Sequence, residues 1–258
     1  MDMLHAIIYG IIEGITEFLP ISSTGHLMLV TELLGESQSG FIKSFEIMIQ
    51  LGAILAIVVL YPRRLLQERA TQLRIVVAFL PTAIIGLLCY KIVKTYLLGN
   101  VPVVLFALFG GGVIIIAIER LLRSSPRPAT ITLPKLSLPR SALLGLLQCI
   151  AFIPGVSRSA TTIFGGMFLG LSRKDAVEFS FLLAVPTMGA ATALDILKHY
   201  REFTPSDLGM LAVGFTVAFF VALVVVRWLA RFVATNDFTW FGVYRILIAL
   251  FGYLLFFN

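Results

Sequence analysis

The segment from residue 13 to residue 26 places two acids close together within an apolar stretch. Glu13 and Glu17 are four residues apart, so they share one face if the segment is helical. Two carboxylates at that spacing repel each other unless one is protonated or a cation lies between them. Mg²⁺ and Ca²⁺ favour oxygen ligands of this kind. The pair therefore predicts a divalent-cation site, and the alternative is two solvated acids at a helix end.

A hydroxyl-rich turn follows the two acids. Ser22, Ser23, Thr24 and Gly25 offer hydroxyls and backbone N–H groups at a predicted helix N-terminus, an arrangement that suits a phosphate. The same residues could instead serve only as the helix cap. His26 comes directly afterwards, where it could act as a nucleophile or as an acid and base. Ser23 is the other candidate nucleophile, and a water activated by His26 is a third.

A second polar segment lies near residues 148–162. Ser157, Arg158 and Ser159 follow a Pro-Gly pair, and Thr162 lies one turn further on. Arginine binds phosphate oxygens in a bidentate manner, so this segment predicts a second set of phosphate contacts. The alternative is that Arg158 extends to the membrane surface.

Three further polar residues lie within apolar runs. Gln50 and Gln148 are predicted either to line the same cavity or to form hydrogen bonds between helices. Arg245, in the last apolar run, is predicted to be a structural counter-charge to Glu46 or Glu178.

The elements that position these residues are membrane spans. The chain of 258 residues is 59% hydrophobic and only 13% charged, with a mean hydropathy of +0.97, against roughly 25% charged in soluble domains. A helical crossing needs about 20 apolar residues. Runs of about that length occur at 45–61, 75–90, 101–118, 176–197, 208–226 and 240–257. The composition predicts one integral membrane domain over 1–258, and the net charge of +6 indicates basic cytoplasmic loops rather than nucleic-acid binding.

The two polar segments belong to an internal repeat. Each contains an aromatic residue, an aliphatic residue, a proline and a hydroxyl-rich turn, and each lies about 25 residues before an acid beside phenylalanine. We assign repeat 1 to about 1–122 and repeat 2 to about 140–258. Each turn separates two apolar pieces that are short for a crossing, at 3–19 and 26–34 and at 141–153 and 160–171. The predicted fold is all-α, and each repeat is a re-entrant helical hairpin followed by three transmembrane helices. The alternative for each hairpin is an ordinary pair of short spans.

An odd number of crossings in each half predicts inverted-topology repeats, with a substrate site near the midplane. The basic residues support this arrangement, because thirteen fall on one predicted face and five on the other: Arg63, Arg64, Arg69, Arg74, Arg120, Arg123, Arg127, Lys135, Arg140, Arg173, Lys174, Arg227 and Arg231, against Lys43, Lys91, Lys94, Lys198 and Arg201. The rich face is predicted to be cytoplasmic. Both termini and the mouth of the site then lie on the outer side.

These motifs resemble those of a known family. Glu13-Gly-Ile-Thr-Glu17-Phe-Leu-Pro-Ile-Ser-Ser-Thr-Gly-His26 is similar to the signature of the bacterial undecaprenyl-diphosphate phosphatases, the bacitracin-resistance (BacA-type) proteins. Pro154-Gly-Val-Ser-Arg158-Ser-Ala-Thr-Thr162 resembles that family's second signature, although Ala160 replaces a common glycine. The resemblance covers essentially the whole chain.

The resemblance implies hydrolysis of undecaprenyl diphosphate to undecaprenyl phosphate and inorganic phosphate in the bacterial inner membrane. It also implies dependence on Mg²⁺ or Ca²⁺, recycling of the lipid carrier for peptidoglycan synthesis, and resistance to bacitracin. The expected partners are the long-chain polyprenyl diphosphate and membrane lipids, and a homodimer stays open. A lipid transporter and a structural membrane scaffold are the rival functions.

Overall fold

The computed structural model of this protein describes residues 1–36, 39–124, 131–199 and 205–257, and the chain is helical through most of them. Arg127 and Arg201, two of the basic residues assigned to membrane faces, lie outside the described residues, as does the side chain of Lys94. The helices are α1 Met3–Thr16, α2 Ser23–Leu33, α3 Gly40–Leu60, α4 Pro62–Leu66, α5 Arg69–Ile92, α6 Val101–Ser124, α7 Leu138–Gln148, α8 Arg158–Phe168, α9 Arg173–His199, α10 Pro205–Phe232 and α11 Thr239–Phe257.

Among the described residues, six helices are long and apolar enough to cross a membrane: α3, α5, α6, α9, α10 and α11. They coincide with the six apolar runs of the sequence, and the described ranges contain no β-strand. The prediction of an all-α polytopic membrane protein is therefore confirmed.

Four of the shorter helices form two hairpins, α1–α2 and α7–α8, and the fifth, α4, is a single turn after α3. Helix α1 has 14 residues and α2 has 11, so at 1.5 Å per residue neither exceeds roughly 21 Å, short of the bilayer core of about 30 Å. The tip of the first hairpin is buried from residue 16 to residue 23. It contacts the second tip directly, since the Ser159 hydroxyl donates to the carbonyl of Leu19 at 2.6 Å. The two tips thus meet inside the protein. Their re-entrant placement in the membrane stays a prediction.

The observed bounds differ slightly from the predicted ones. Helix α1 ends at Thr16 rather than at residue 19, so Glu17 lies at the start of the turn. Helix α8 begins at Arg158, because Ser157 is already its N-cap.

Packing between helices follows the proposed duplication. Helix α1 packs on α10 as α7 packs on α5, and α3 packs on α10 as α9 packs on α5. Two further large contacts, α6 with α11 and α3 with α9, join equivalent helices of the two halves. The halves differ in one respect, since α8 packs closely on α9 whereas α2 packs little on α3. Both halves therefore contribute to one core, with Phe18 of the first tip fully buried against Phe181 of α9 at 5.4 Å. Inversion of the halves relative to the membrane stays a prediction.

Candidate active site

Each hairpin tip ends in a serine with an unusual backbone. Ser22 has φ 73° and Ser157 has φ 81°, the left-handed region that non-glycine residues seldom adopt. Each serine is an N-cap, and its hydroxyl accepts from the N–H of Gly25 at 3.4 Å or of Ala160 at 3.2 Å. A residue held in this region costs about 1–3 kcal/mol, and such strain clusters at functional sites. The paired strained caps therefore mark the tips as the candidate site.

The carboxylate of Glu17 connects the two tips. Its Oε1 accepts a hydrogen bond from Nη2 of Arg158 at 2.7 Å, and its Oε2 accepts a short hydrogen bond from the hydroxyl of Ser23. The side chains of Glu17 and Arg158 are only 5% and 15% exposed. The alternative of Arg158 at the membrane surface is therefore wrong, since its charge is paired with a buried acid instead.

The rest of the Arg158 guanidinium is only partly occupied. Nη1 donates to the carbonyl of Ser180 at 2.8 Å, and the guanidinium lies 5.8 Å from the ring centre of Phe18. Nε is buried and has no hydrogen-bond partner among the described residues. A buried donor without a partner is costly, so this N–H is available to an anionic ligand.

The hydroxyls of Ser159 and Thr162 are already used within the scaffold. Ser159 donates to Leu19, and Thr162 bonds to the carbonyl of Arg158 at 2.9 Å and to the hydroxyl of Ser180 at 2.7 Å. These contacts tie the start of α8 to the other tip and to α9. They position Arg158 rather than face the cavity.

Both ring nitrogens of His26 are also occupied. Nδ1 lies 2.8 Å from the carbonyl of Ser22, and Nε2 lies 2.9 Å from the hydroxyl of Tyr244, whose ring stacks on the imidazole. Since a carbonyl only accepts, the Nδ1 contact assigns the proton to that nitrogen, and Nε2 then accepts from Tyr244. Tyr244 was not predicted from the sequence.

Glu13 is the second candidate ligand for the predicted cation. The side chain is fully buried, and neither carboxylate oxygen has a hydrogen-bond partner among the described residues. The described part of the chain contains no cluster of three or more His, Cys, Asp or Glu that could hold a metal. A cation here would have one or two protein carboxylates and would take its remaining oxygens from substrate and water, the pattern that Mg²⁺ adopts with phosphate substrates. The residues present therefore fit the predicted cation.

A cavity of about 460 Å³ opens beside the tips, a volume typical of a small-molecule site. It is polar at the tips and apolar further away. Eight of the predicted site residues line it: Glu17, Ser22, Ser23, Thr24, Gln50, Gln148, Ser157 and Arg158. Five do not line it: Glu13, Gly25, His26, Ser159 and Thr162. Its apolar end includes Phe79, Leu87, Val93, Leu98 and Leu194.

Gln148 meets both of its predicted roles. It lines the cavity and also joins two helices, because its Nε2 donates to the hydroxyl of Thr82 at 2.9 Å while Thr82 donates to the carbonyl of Gly145 at 2.8 Å. Its Oε1 is buried without a partner among the described residues. Thr82 and Tyr90, which also line the cavity, were missed because neither belongs to a motif.

The predicted role of Arg245 is wrong. Glu178 pairs with Arg64 at 2.6 Å, and Glu46 accepts from Thr31 at 2.9 Å. Arg245 instead donates to backbone carbonyls, among them the carbonyl of Pro20 in the first tip. The apolar sequence around Arg245 gave no signal of these partners.

Fold and site together define an integral membrane protein with an acid, a serine and an arginine assembled where two helical hairpins meet. The chain belongs to the family described as Bacitracin resistance protein BacA, whose sequence model matches residues 6–251. This confirms the resemblance found in the motifs.

Similar proteins match along nearly their entire length. An undecaprenyl-diphosphatase of Aquifex aeolicus is 48% identical over 250 residues, covering 97% of each chain. An undecaprenyl-diphosphatase of Bdellovibrio bacteriovorus is 47% identical over 250 residues, 97% of this chain and 94% of the relative. One of Thermus thermophilus is 47% identical over 248 residues, 95% of this chain and 94% of the relative.

Proposed function

We propose that this protein is an undecaprenyl-diphosphate phosphatase of the bacterial inner membrane, which converts undecaprenyl diphosphate to undecaprenyl phosphate and inorganic phosphate. The observation that carries the proposal is the Glu17 carboxylate, which joins the Ser23 hydroxyl and the Arg158 guanidinium at the polar end of the cavity. The polar end suits a diphosphate, and the apolar end suits the first units of a lipid tail. The product returns the lipid carrier to peptidoglycan synthesis, and removal of the diphosphate lowers sensitivity to bacitracin.

Ser23 is the nucleophile that the geometry favours. Its hydroxyl already donates to Glu17, so Glu17 can accept the proton as the oxygen attacks. The Ser23 Oγ–P bond forms at the terminal phosphorus while the P–O bond to the bridging oxygen breaks, and undecaprenyl phosphate leaves with that electron pair. Water then attacks the phosphoserine; the P–Oγ bond breaks, Oγ recovers the proton held by Glu17, and Glu17 accepts one from the water. Glu17 then passes this proton to the departing phosphate, which restores its carboxylate. His26 is the less favoured nucleophile, since both ring nitrogens are hydrogen-bonded and it does not line the cavity.

Arg158 stabilises charge on the terminal phosphate. Its unpartnered Nε and the Nη2 now paired with Glu17 are donors that phosphate oxygens can take over. Backbone N–H groups at the start of α2, with Ser22 and Thr24, supply further donors. The same cavity is lined by Ser157, Gln50 and Gln148. The predicted substrate-binding residues that do not line it are assigned to maintaining the conformation of the tips: Gly25, Ser159 and Thr162.

Glu13 and Glu17 are proposed to hold the divalent cation, Mg²⁺ or Ca²⁺. When bound, the cation neutralises and polarises the diphosphate. Support comes from the two unpartnered oxygens of Glu13 in a fully buried position.

We propose that the cavity opens to the outer face and that both termini lie outside. The lining reaches Leu98, after α5, and Leu194, near the end of α9. These helix ends carry Lys91 and Lys198, which belong to the face with fewer basic residues. Contacts between helix ends support the assignment of basic residues to two membrane faces. At the face with fewer basic residues, Nζ of Lys43 donates to the carbonyl of Leu98. At the other face, Arg64 pairs with Glu178 and Arg123 pairs with Asp237.

The function is tested with purified protein in detergent by measuring phosphate released from undecaprenyl diphosphate, with Mg²⁺ or Ca²⁺ and with chelator. Release that stops with chelator is expected. A transporter would need vesicles and a lipid gradient, and a scaffold would release nothing. Absence of release by the wild type with either cation contradicts the enzyme assignment.

A further inference from the structure

Arg245 of α11 is completely buried, and its side chain forms hydrogen bonds only with backbone carbonyls among the described residues. The five N–H groups of the guanidinium meet five carbonyl oxygens, those of Leu108 at 3.3 Å, Pro20 at 3.1 Å, Val156 at 3.0 Å, Ala107 at 2.9 Å and Gly155 at 2.7 Å. Every donor is therefore used.

This arrangement is unusual for a buried cation. Removing a guanidinium from water is costly unless it is paired or fully hydrogen-bonded, and apolar residues of similar size often replace buried charges without loss of stability. Stability alone therefore gives little reason for an arginine at this position. What the arginine provides is one rigid, planar group that holds several chain segments at fixed separations.

The segments that Arg245 joins are the two tips and α6. Pro20 lies between Glu17 and Ser23 in the first tip, and Gly155 and Val156 directly precede Ser157 and Arg158 in the second. Each of the two Nη atoms thus contacts the second tip, and Nη1 also contacts the first. The guanidinium connects the two halves of the candidate site within three residues of its reactive groups.

The neighbouring glycines show that space is kept for this side chain. A Cβ at Gly111 of α6 would lie 2.0 Å from Nη2 of Arg245 and 2.7 Å from its Cζ. A Cβ at Gly110, one residue earlier, would meet nothing within 4 Å. Gly155 in the second tip has φ +94°, and a Cβ there would lie 2.6 Å from the carbonyl of Val104. The tip can therefore approach α6 and Arg245 only with glycine at that position.

We infer that Arg245 is a positioning residue, which sets the separation of Glu17 and Ser23 from Arg158 by holding both hairpin tips. This inference rests on the proposed phosphatase function. It assigns Arg245 no contact with substrate. Because a small misplacement of reacting groups can cost about a hundredfold in rate, loss of this contact should reduce turnover rather than substrate binding.

The test compares Arg245→Lys and Gly111→Ala with Gly110→Ala, the matched control. Lysine has three donors in place of five, and the Gly111 methyl group would displace the guanidinium. We expect kcat for undecaprenyl diphosphate to fall about a hundredfold in both variants, with KM changed by less than about threefold because groups that bind the lipid remain. Gly110→Ala should match the wild type in activity and melting temperature. Arg245→Lys and Gly111→Ala should remain folded in detergent, with lower melting temperatures because buried donors or carbonyls lose partners.

A cross-linking assay makes the inference independent of activity. In a Cys89→Ala, Cys149→Ala background, Leu19→Cys and Ser159→Cys place one thiol in each tip, where Ser159 now bonds Leu19. Disulfide formation should slow when Gly111→Ala is added and stay unchanged with Gly110→Ala.

Unchanged kcat and cross-linking in Gly111→Ala and Arg245→Lys would overturn the inference. So would unfolding of both variants, since the role would then be in folding. An inactive wild type with Gly111-sensitive cross-linking would refute the phosphatase proposal alone.

Discussion

The guanidinium of Arg158 lies 2.7 Å from the carboxylate of Glu17, although the two residues are 141 positions apart. One belongs to the first hairpin and the other to the second, so this ion pair exists only when both halves of the chain are folded together. The other carboxylate oxygen of Glu17 accepts a hydrogen bond from the hydroxyl of Ser23. Glu17 is therefore in direct contact with both a hydroxyl group and a guanidinium group.

Replacement of Arg158 tests the charge that stabilises the terminal phosphate. Arg158→Ala should reduce kcat by about 10²–10³, the range found when one transition-state donor is removed. Arg158→Lys should lose most of this activity too, because lysine cannot bind in a bidentate manner. The measurement is initial phosphate release per folded protein. Arg173→Ala is the control, since Arg173 pairs with buried Glu119 away from the cavity. Full activity of Arg158→Ala would refute the role.

Ser23→Ala should abolish formation of a phosphoenzyme, because it removes the attacking oxygen. Rapid acid quenching with substrate labelled in the terminal phosphate should trap acid-stable phosphoserine in the wild type and none in the variant. Ser44→Ala serves as the control. Ser44 is buried outside the cavity, and its hydroxyl has no partner among the described residues. Normal turnover by Ser23→Ala would favour direct attack by water.

Removal of the divalent cation should stop phosphate release, and its return should restore it. Glu13→Gln should raise the concentration of Mg²⁺ or Ca²⁺ needed for half-maximal activity by at least about 10–100-fold, the range seen when only a partner of a metal ligand is removed. Glu46→Gln, an acid on α3 that accepts from Thr31 and does not line the cavity, should leave this concentration unchanged. Equal responses of the two variants would mean that Glu13 does not hold the cation.

Labelling of single cysteines tests the inverted topology. In a background without Cys89 and Cys149, Asn100→Cys lies between α5 and α6, at the predicted outer face, and Gln67→Cys lies between α4 and α5, at the predicted cytoplasmic face. A thiol reagent that does not cross membranes should label the first in intact cells and the second only after permeabilisation. The reverse pattern would place the cavity mouth in the cytoplasm.

Much of the fold could be predicted from local sequence, because a membrane span depends on about 20 consecutive apolar residues. The six long helices appear where those runs lie. The hairpins could also be predicted, since short apolar pieces around a Pro-Ser turn cannot cross a bilayer. Their observed bounds differ by a few residues from the predicted apolar pieces, and the N-caps Ser22 and Ser157 adopt left-handed backbone conformations that hydrophobicity does not reveal.

The sequence by itself thus determined which residues carry charge and hydroxyls inside the membrane domain, and Glu17, Ser23 and Arg158 were among them. Tertiary structure decided which of them are partners. Arg245 was predicted to neutralise an acid, yet its carbonyl partners lie 89 to 225 residues away. His26 meets Tyr244 across 218 residues. In a low-dielectric interior most buried polar groups have a partner, but packing between distant helices chooses that partner, and no local pattern encodes it.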